Sequence, residues 1–513
     1  MTDDVFEPLI DETKILPKRT CRSIYKPQGT SYTAFLPLIL FVLLCNYLDS
    51  TAMNLALPKI QEEFGVDRYI SQWLITAYSL AVAATSIPLA KLADSIGQVY
   101  AMYIYLTGLT IGYIAIYFIK NLYAMCALRF FIGACFAGAT AARMALIRLL
   151  SPPEKAQVYM MYTASICTGF GAILPFLASF MINYNWRLTF LLCGIFALCS
   201  ILALIPYTNP PKKQSAVNGK KCNIDFGGMI AIIVATGSLD LSFTFLSAPI
   251  YWLAGTLFGI SIIAFVSFYF IEMKVSDPIL PLKIMKTPVT EYAILTLISS
   301  LISTGISFIL AQYAAIWGQP TGFSGLFMSI VGIISTILTF IAPLLTKRYL
   351  NKTILIWTYS LSIIAFAVQM ISTYSFWFFV SIFLVAVLAF SIPNFLIQPI
   401  ILCSVPLQYA ASITAIPNTC RQLGSAISLS ITSMILKKCS ATFIKQGMSR
   451  LSAFNQSVTI VYGVYLFLII VSLILLITRT GQQRNESNKK GYDSSKIKQL
   501  QLLDENEEAT KYV

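Results

Sequence analysis

Residues 48–58 read Leu48-Asp49-Ser50-Thr51-Ala52-Met53-Asn54-Leu55-Ala56-Leu57-Pro58, and they complete an apolar run that starts at about residue 33. At ~1.5 Å per residue, a helix of this length crosses a bilayer and holds Asp49 far from either water surface. An acid at that depth costs ~2.5 to 3.5 kcal/mol on insertion scales, so it indicates a functional site. The alternative is a polar residue that only holds two spans together.

One face of this helix is polar. At 100° per residue, a single arc holds four polar side chains, which are Asn46, Asp49, Ser50 and Asn54. We predict that the arc faces protein or a water-filled cavity, with Asn46 and Asn54 on the wall of a substrate cavity. Burial favours the neutral form of the Asp49 carboxyl group and an entering cation favours the charged form, so a proton and a cationic or polar substrate can compete for it.

The composition is that of a polytopic membrane protein. The chain has 513 residues, of which 57% are hydrophobic and 11% are charged, and its mean hydropathy is +0.74. The apolar runs are continuous and do not alternate with period two, which predicts helices and not a barrel. Histidine is absent, and most of the eleven cysteines lie inside the apolar runs without metal-ligand spacing. We therefore expect no metal, cofactor or disulfide framework.

The positive charge indicates membrane topology and not nucleic-acid binding. The net charge is +14, but the basic residues lie in short loops and in the two tails. The sequence also has no phosphate-binding loop that ends in Gly-Lys-Ser/Thr and no nucleophile–base pair. ATP-driven pumping and enzymatic activity are therefore disfavoured.

Fourteen apolar runs are candidates for spans. They lie near 33–57, 70–90, 99–119, 123–147, 157–183, 188–207, 226–247, 250–271, 290–317, 323–345, 353–372, 376–403, 410–436 and 457–478. An even count places both termini on one side, and most of the 36 Lys and Arg residues then fall inside if that side is the cytoplasm. The basic loop from Lys437 to Arg450 opposes this orientation for the last two spans.

A weak internal repeat suggests two halves. Pro88-Leu89-Ala90-Lys91 follows the second run, and Pro343-Leu344-Leu345-Thr346-Lys347 follows the tenth. Many transporters are built from paired halves, with the substrate site between them near the membrane midplane.

Several short motifs occur in a specific order along the chain. They are Leu48-Asp49-x-Thr51-x-x-Asn54-x-Ala56-Leu57-Pro58, Trp73 followed by Thr76-Ala77-Tyr78-x-Leu80, Pro88-Leu89-Ala90-Lys91-Leu92-Ala93-Asp94-Ser95-Ile96-Gly97, Leu128-Arg129-x-x-x-Gly133, Asp277-Pro278-Ile279-Leu280-Pro281-Leu282 and Arg421-Gln422-Leu423-Gly424. Together they resemble the fourteen-span drug:proton antiporters of the major facilitator superfamily. The span-5 antiporter signature, Gly-Pro-x-x-Gly-Gly, is replaced here by Leu174-Pro175-Phe176-Leu177-Ala178-Ser179, which leaves the direction of transport open.

The resemblance implies an all-helical major facilitator fold with two six-helix bundles, two extra spans and cytoplasmic termini. By residue, this is a cytoplasmic tail (1–31), an N-terminal bundle (32–207), a cytoplasmic linker (208–224), two additional spans (225–272), a C-terminal bundle (273–478) and a disordered cytoplasmic tail (479–513). It also implies a monomer in the inner or plasma membrane of the cell.

The implied function is proton-coupled antiport that exports lipophilic or cationic small molecules by alternating access. The partners are then the substrate, the proton and the lipid bilayer, and the proton gradient supplies the energy in place of a cofactor. Two alternatives stay open. One is a dedicated transporter for a metabolite or a siderophore-like chelator, and the other is a membrane sensor that transports nothing.

The resemblance and the residues together assign roles. Asp49 and Arg129 are the predicted proton-coupling residues, because a guanidinium inside span 4 needs a partner. In the alternative interpretation, the Arg129 side chain only extends toward the membrane surface. Tyr78 and Arg421 are predicted to line the substrate cavity, or Arg421 only anchors span 13.

The predicted conformational hinges are Asp94, Gly97 and Pro175. Asp94 and Gly97 lie at the turn between spans 2 and 3, where Asp94 is alternatively the N-cap of span 3. Pro175 bends span 5, or it belongs to a packing face of small residues. Asp240, in the middle of the seventh run, is either a second acid for cations or a structural residue.

Overall fold

The computed structural model describes residues 32–66, 68–150, 153–205, 225–247, 250–275, 288–317, 321–371, 376–403 and 410–478. Over these residues the chain forms fourteen long helices. They are α1 (Tyr32–Phe64), α2 (Arg68–Ile96), α3 (Gln98–Phe118), α4 (Leu122–Leu150), α5 (Pro153–Tyr184), α6 (Trp186–Leu204), α7 (Phe226–Ser247), α8 (Tyr251–Lys274), α9 (Pro288–Ile316), α10 (Thr321–Arg348), α11 (Asn351–Ile371), α12 (Phe376–Cys403), α13 (Ala410–Lys445) and α14 (Arg450–Thr478). Each predicted apolar run overlaps one of these helices, which confirms the all-helical class.

Twelve helices in the described part of the chain are long and apolar enough to cross a membrane. These twelve do not include α1 and α5, so the count of fourteen spans stays a prediction. The predicted tails (1–31 and 479–513), the linker 208–224 and the motif at 277–282 lie outside the described residues. The predicted domain boundaries and the cytoplasmic location of the termini stay predictions as well.

Two glycines mark helix ends that the apolar runs do not reveal. α1 continues past residue 57 to Phe64 and ends before Gly65, whose φ is 61°. α13 continues to Lys445 and α14 begins at Arg450, with Gly447 between them at φ 87°. A positive φ is easily adopted by glycine and commonly ends a helix. The basic loop expected between the last two spans is therefore largely helical.

The helices pack as two similar halves. In the first half, α1 packs on α5, α3 on α4, and α2 on α4. In the second half the same pairings recur eight helices later, as α9 on α13, α11 on α12, and α10 on α12. This correspondence agrees with the two halves that the weak sequence repeat suggests.

The halves meet mainly along two helix pairs, α2 with α13 and α5 with α10, and α4 with α13 and α5 with α12 add further contacts. Small residues allow these close contacts. A Cβ atom on Gly169 would lie 3.1 Å from Thr336 Cγ2, and one on Gly332 would lie 3.3 Å from Ala172 Cβ. Helix interfaces in membranes commonly use such small residues because they let the backbones approach closely.

The two extra helices pack against this seam. α7 and α8 pack on each other, and α7 also contacts α2 and α13. Ser430 Oγ on α13 donates to Phe243 O on α7 at 2.5 Å. The α7–α8 pair is therefore attached to both halves of the bundle.

Candidate functional site

A buried ion pair joins α1 to α4 inside the first half. Arg129 Nη1 lies 2.5 Å from Asp49 Oδ1, and Arg129 Nε donates to Leu74 O at 3.2 Å. The Asp49 side chain is 0% exposed and the Arg129 side chain is 2% exposed. The structure thus brings the two predicted coupling residues into contact, and Arg129 does not extend toward a membrane surface.

The motif Leu128-Arg129-x-x-x-Gly133 explains why Arg129 reaches this position. Arg129 and Gly133 are four residues apart, so they lie on the same face of α4. A Cβ atom on Gly133 would lie only 2.5 Å from Tyr78 O and 2.9 Å from Ala81 Cβ. Glycine therefore lets α4 approach the α2 backbone, which brings Arg129 within reach of Leu74 O on α2.

Aromatic side chains complete the shell around the ion pair. The Arg129 Cζ atom lies 4.7 Å from the centre of the Tyr78 ring and 5.8 Å from that of Phe190. Stacking of this kind suits the planar guanidinium. Tyr113 is fully buried and interacts electrostatically with Asp49.

One oxygen of Asp49 is available for a proton. Asp49 Oδ1 is held by Arg129, whereas Asp49 Oδ2 makes no hydrogen bond of regular geometry among the described residues. The Tyr113 hydroxyl lies close enough to interact with this carboxyl group but also lacks a hydrogen bond of regular geometry there. A carboxyl group that keeps one oxygen paired and the other open can accept a proton without first leaving its cation.

A cavity of about 330 Å³ lies between the two halves. Helices of the first half (α1, α4 and α5) and of the second half (α9, α12 and α13) contribute its wall. The residues that line it are Leu43, Tyr47, Arg143, Met144, Met160, Ala164, Ser300, Ser303, Thr304, Phe395, Gln398, Pro399, Arg421, Gln422 and Ser425. Arg421 thus lies on the cavity wall, as its predicted role requires.

The ion pair and the cavity occupy opposite faces of α1. Leu43 and Tyr47 line the cavity, and Asp49 does not. At 100° per residue, Asp49 points about 200° away from Tyr47. The polar arc therefore faces protein at Asp49, and direct competition of a substrate and a proton for this carboxylate, which the sequence led us to expect, does not fit the described geometry.

The other predicted cavity residues differ in position. Tyr78 lies beside Arg129 and is not among the residues that line the cavity. The side chains of Asn46, Asn54 and Pro175 lie outside the described part of the structure.

Sequence reasoning missed Arg143 and Gln398 on the cavity wall. Arg143 lies inside the predicted span 123–147, so its charge was a usable signal. Gln398 is uncharged and lies in a strongly apolar helix, α12. Its position on a helical wheel alone could not have assigned it to the cavity.

The Major Facilitator Superfamily family model matches residues 39–429 of this chain. The chain belongs to the major facilitator superfamily. This confirms the resemblance seen in the motifs and places the chain among membrane transporters and not among enzymes.

Individual members of the superfamily are related at lower similarity. The puromycin resistance protein pur8 of Streptomyces alboniger is 26% identical over 255 residues, which cover 48% of this chain and 48% of that protein. The multidrug transporter protein MdtP of Bacillus subtilis (strain 168) is 28% identical over 319 residues, which cover 59% of this chain and 56% of that protein. The chain thus spans about half the length of the curated relatives it matches.

A solved structure has the same fold. The crystal structure of the human organic anion transporter MFSD10 superposes with a TM-score of 0.61 at 12% identity, over 88% of this chain and 100% of that chain. At this identity the likeness concerns the fold alone.

The motif from Pro88 to Gly97 forms a tight connection between α2 and α3. Asp94 lies in the last turn of α2, where its Oδ1 accepts from Gln98 Nε2 at 2.7 Å. Gly97 is the N-cap residue of α3, with φ 102°, and as a glycine it makes no side-chain cap hydrogen bond. The alternative prediction that Asp94 caps the third span is therefore wrong, because glycine occupies the cap position.

A second ion pair lies at the C-terminal end of α1. Arg187 Nη1 donates to Glu63 Oε1 at 2.6 Å and to Oε2 at 2.8 Å, and Trp186 Nε1 donates to Glu63 Oε2 at 2.7 Å. The Glu63 side chain is 42% exposed. These contacts connect the C-terminal end of α1 to the start of α6, and no pattern in the sequence predicts them.

Asp240 lies away from both sites. It is in α7, and its side chain is only 2% exposed. Gly237 on the same helix faces α2, since a Cβ atom there would lie 3.6 Å from Ala84 Cβ. The part of the chain that the structure describes offers the Asp240 carboxylate no ion-pair partner.

Proposed function

We propose that this chain is a proton-coupled secondary transporter that exports lipophilic small molecules by alternating access. The observation that carries the proposal is the buried ion pair between Asp49 on α1 and Arg129 on α4, since the opposite face of α1 lines the cavity between the halves. An intramembrane ion pair is costly, and such pairs commonly mark proton or ion pathways.

The geometry suggests indirect coupling. Protonation at Asp49 Oδ2 neutralises the carboxylate and removes most of its attraction to Arg129. The contact between α1 and α4 then weakens, and α1 can shift relative to the other helices of the first half. Because Leu43 and Tyr47 on α1 line the cavity, such a shift changes the shape and access of the substrate site.

Export of lipophilic compounds is supported by the relatives and by the cavity. Two relatives are named as a puromycin resistance protein and a multidrug transporter. The cavity wall includes apolar side chains from both halves, among them Leu43, Met144, Met160 and Phe395. Flexible methionines suit the binding of varied apolar ligands.

The topology belongs to the proposal too. We infer fourteen spans, because α1 and α5 pack on each other, α1 also packs on α6, and α5 also packs on α10 of the second half, as bundle helices do. Cytoplasmic termini follow from the bias of Lys and Arg toward the tails and the inner loops. We expect a monomer in the cell membrane, with no cofactor beyond the proton gradient.

Transport by purified protein in proteoliposomes tests this function. The full chain is reconstituted in phosphatidylcholine vesicles, a proton gradient is imposed, and the accumulation of two lipophilic xanthene dyes, fluorescein and rhodamine 123, is followed. We expect gradient-driven accumulation of at least one dye that an uncoupler abolishes. Folded protein that moves neither dye in either direction would contradict multidrug export, and a screen of metabolites and chelators would follow.

A further inference from the structure

We propose that the cavity between the two halves recognises an acidic group on its substrate, such as a carboxylate or a sulfonate, through Arg421 and Arg143. This inference rests on the proposed transport function and names the substrate class that the site selects. It departs from the cationic substrates that the sequence led us to expect.

The wall of the cavity is positively charged. Arg143 on α4 and Arg421 on α13 both line it, and none of the described residues that line it is an aspartate or glutamate. Asp49, a buried carboxylate two residues after the cavity residue Tyr47, lies on the opposite face of α1 and is paired with Arg129. A cation that enters therefore meets like charge at Arg421, whose hydrogen-bond partner Gln398 is neutral, whereas an anion is attracted there.

Arg421 is held in place but retains free donors. Its Nη2 donates to Gln398 Oε1 at 3.3 Å, and Gln398 is the sole acceptor that its guanidinium contacts among the described residues. A neutral amide leaves the charge of Arg421 uncompensated. Gln398 Nε2 also lacks a hydrogen-bond partner within the described ranges. Together these groups offer a planar fork of donors that matches an oxyanion.

The backbone of α13 fixes the position of this fork. Ser300 Oγ on α9 donates to Arg421 O at 2.5 Å. A Cβ atom on Gly424 would lie 2.5 Å from Leu297 O, so α13 and α9 are in close backbone contact one turn after Arg421. A donor group that is already positioned loses little conformational entropy when it binds a ligand.

The two arginines come from different halves of the bundle. Arg143 is on α4 and is 4% exposed, and Arg421 is on α13. A ligand that reaches across the cavity to both arginines contacts both halves at once. Binding then favours the conformation in which the halves are close, which is the differential interaction that alternating access requires.

The hydroxyl groups on the wall suit the same class of ligand. Ser303, Thr304 and Ser425 line the cavity beside Arg421. They can donate to the remaining oxygens of an acid, while Leu43 and Met144 contact an apolar body. The site as a whole therefore fits an amphipathic organic acid.

The test compares two dyes that share the xanthene ring system but differ in charge. Fluorescein is anionic and rhodamine 123 is cationic. Their binding to the full chain is measured by fluorescence anisotropy in detergent, and their transport is measured in phosphatidylcholine vesicles, whose headgroups carry no net charge to compete. We expect the native chain to bind fluorescein at least tenfold more tightly than rhodamine 123.

Two variants and one control distinguish the cavity from a general charge effect. Arg421→Gln should weaken fluorescein binding by about tenfold or more, because hydrogen bonds to a charged group are lost. Ser303→Asp, which adds a carboxylate to the exposed wall, should abolish the preference or reverse it. Arg348→Gln, a matched substitution at an exposed arginine outside the cavity, should leave fluorescein binding unchanged.

The outcomes separate this inference from the transport function. Tighter binding of rhodamine 123 by the native chain, or fluorescein binding that Arg421→Gln and Ser303→Asp leave unchanged, would overturn the inference. Gradient-driven transport of rhodamine 123 alone would overturn it and leave the proposed transport function intact. Fluorescein binding that depends on Arg421 but is never accompanied by transport would support the inference and contradict the transport function.

Discussion

Removing either member of the Asp49–Arg129 pair should destabilise the protein strongly. Removing both should cost less than the sum of the two single substitutions. The side chains are 0% and 2% exposed, and their charged atoms are 2.5 Å apart. At an effective dielectric constant of about 20, that distance corresponds to an attraction on the order of 6 kcal/mol before the cost of desolvation. Asp49→Asn leaves a buried guanidinium and Arg129→Gln leaves a buried carboxylate. Each should therefore cost about 3–5 kcal/mol.

The double variant Asp49→Asn/Arg129→Gln leaves no unpaired charge. We expect its cost to fall short of the sum of the two single costs by at least about 2 kcal/mol, which is roughly 30-fold in the unfolding equilibrium. Asp49→Asn should be the milder single change, because Arg129 keeps its hydrogen bond to Leu74 O and its stacking on Tyr78.

Two buried cysteines provide a local assay. Cys45 and Cys193 are free and buried, and both interact electrostatically with the ion-pair region. Their modification by a thiol reagent is followed by peptide mass spectrometry as detergent-solubilised protein is heated. Earlier modification in a variant reports looser packing of α1 and α6 around the pair.

The control makes the same Asp→Asn substitution at another buried acid, Asp240, in α7. Asp240→Asn combined with Arg129→Gln should be additive, because Asp240 lies in α7 and the described part of the chain shows no contact between the two side chains. Additive costs for Asp49→Asn and Arg129→Gln would show that the pair contributes no coupling energy. The stabilising link between α1 and α4 that we assign to this pair would then be refuted.

Two further predictions concern helix packing and the second ion pair. Gly133→Val should cost more than about 3 kcal/mol and yield little folded protein by size-exclusion chromatography, because its Cβ atom would meet Tyr78 O at 2.5 Å. Gly255→Val, with no atom within 4 Å of the added Cβ, should change stability by less than about 1 kcal/mol, and equal losses would contradict the proposed close approach. Glu63→Gln removes the ion pair with Arg187 and should lower the free energy of unfolding by about 1–2 kcal/mol, a modest amount because the pair is partly exposed. Glu62→Gln, at an exposed neighbouring residue, should have almost no effect on thermal unfolding. Indistinguishable melting curves for these last two variants would argue against the second ion pair.

The helices were predictable because a bilayer imposes a simple constraint. Backbone polar groups must be satisfied within each span, so long apolar runs become helices. Helix ends were less predictable, since an apolar run reports the hydrocarbon thickness and not the length of the helix. The ends of α1 and α13 depend on positive-φ turns at Gly65 and Gly447, several residues beyond the apolar boundary.

The candidate site was predictable in part. The depth of Asp49 and the need of Arg129 for a partner pointed to both residues, and the structure pairs them. The helical wheel of α1 showed which residues share a face but could not show which helix or cavity that face contacts. For this reason Asp49 was expected at the cavity. The helical wheel of α2 gave no neighbour for Tyr78 either, so that residue was assigned to the cavity wall. Arg143 was overlooked although its charge inside the span 123–147 was a usable signal.

Proton movement during substrate transport tests the role of Asp49 most directly. A pH-sensitive dye is enclosed in vesicles that hold the native chain, Asp49→Asn or Asp240→Asn, and the substrate is the xanthene dye that the native chain accumulates. We expect protons to move opposite to the substrate in the native chain and in Asp240→Asn, whereas Asp49→Asn exchanges substrate down its own gradient without proton movement. Equal proton movement in Asp49→Asn and the native chain would contradict a coupling role for Asp49.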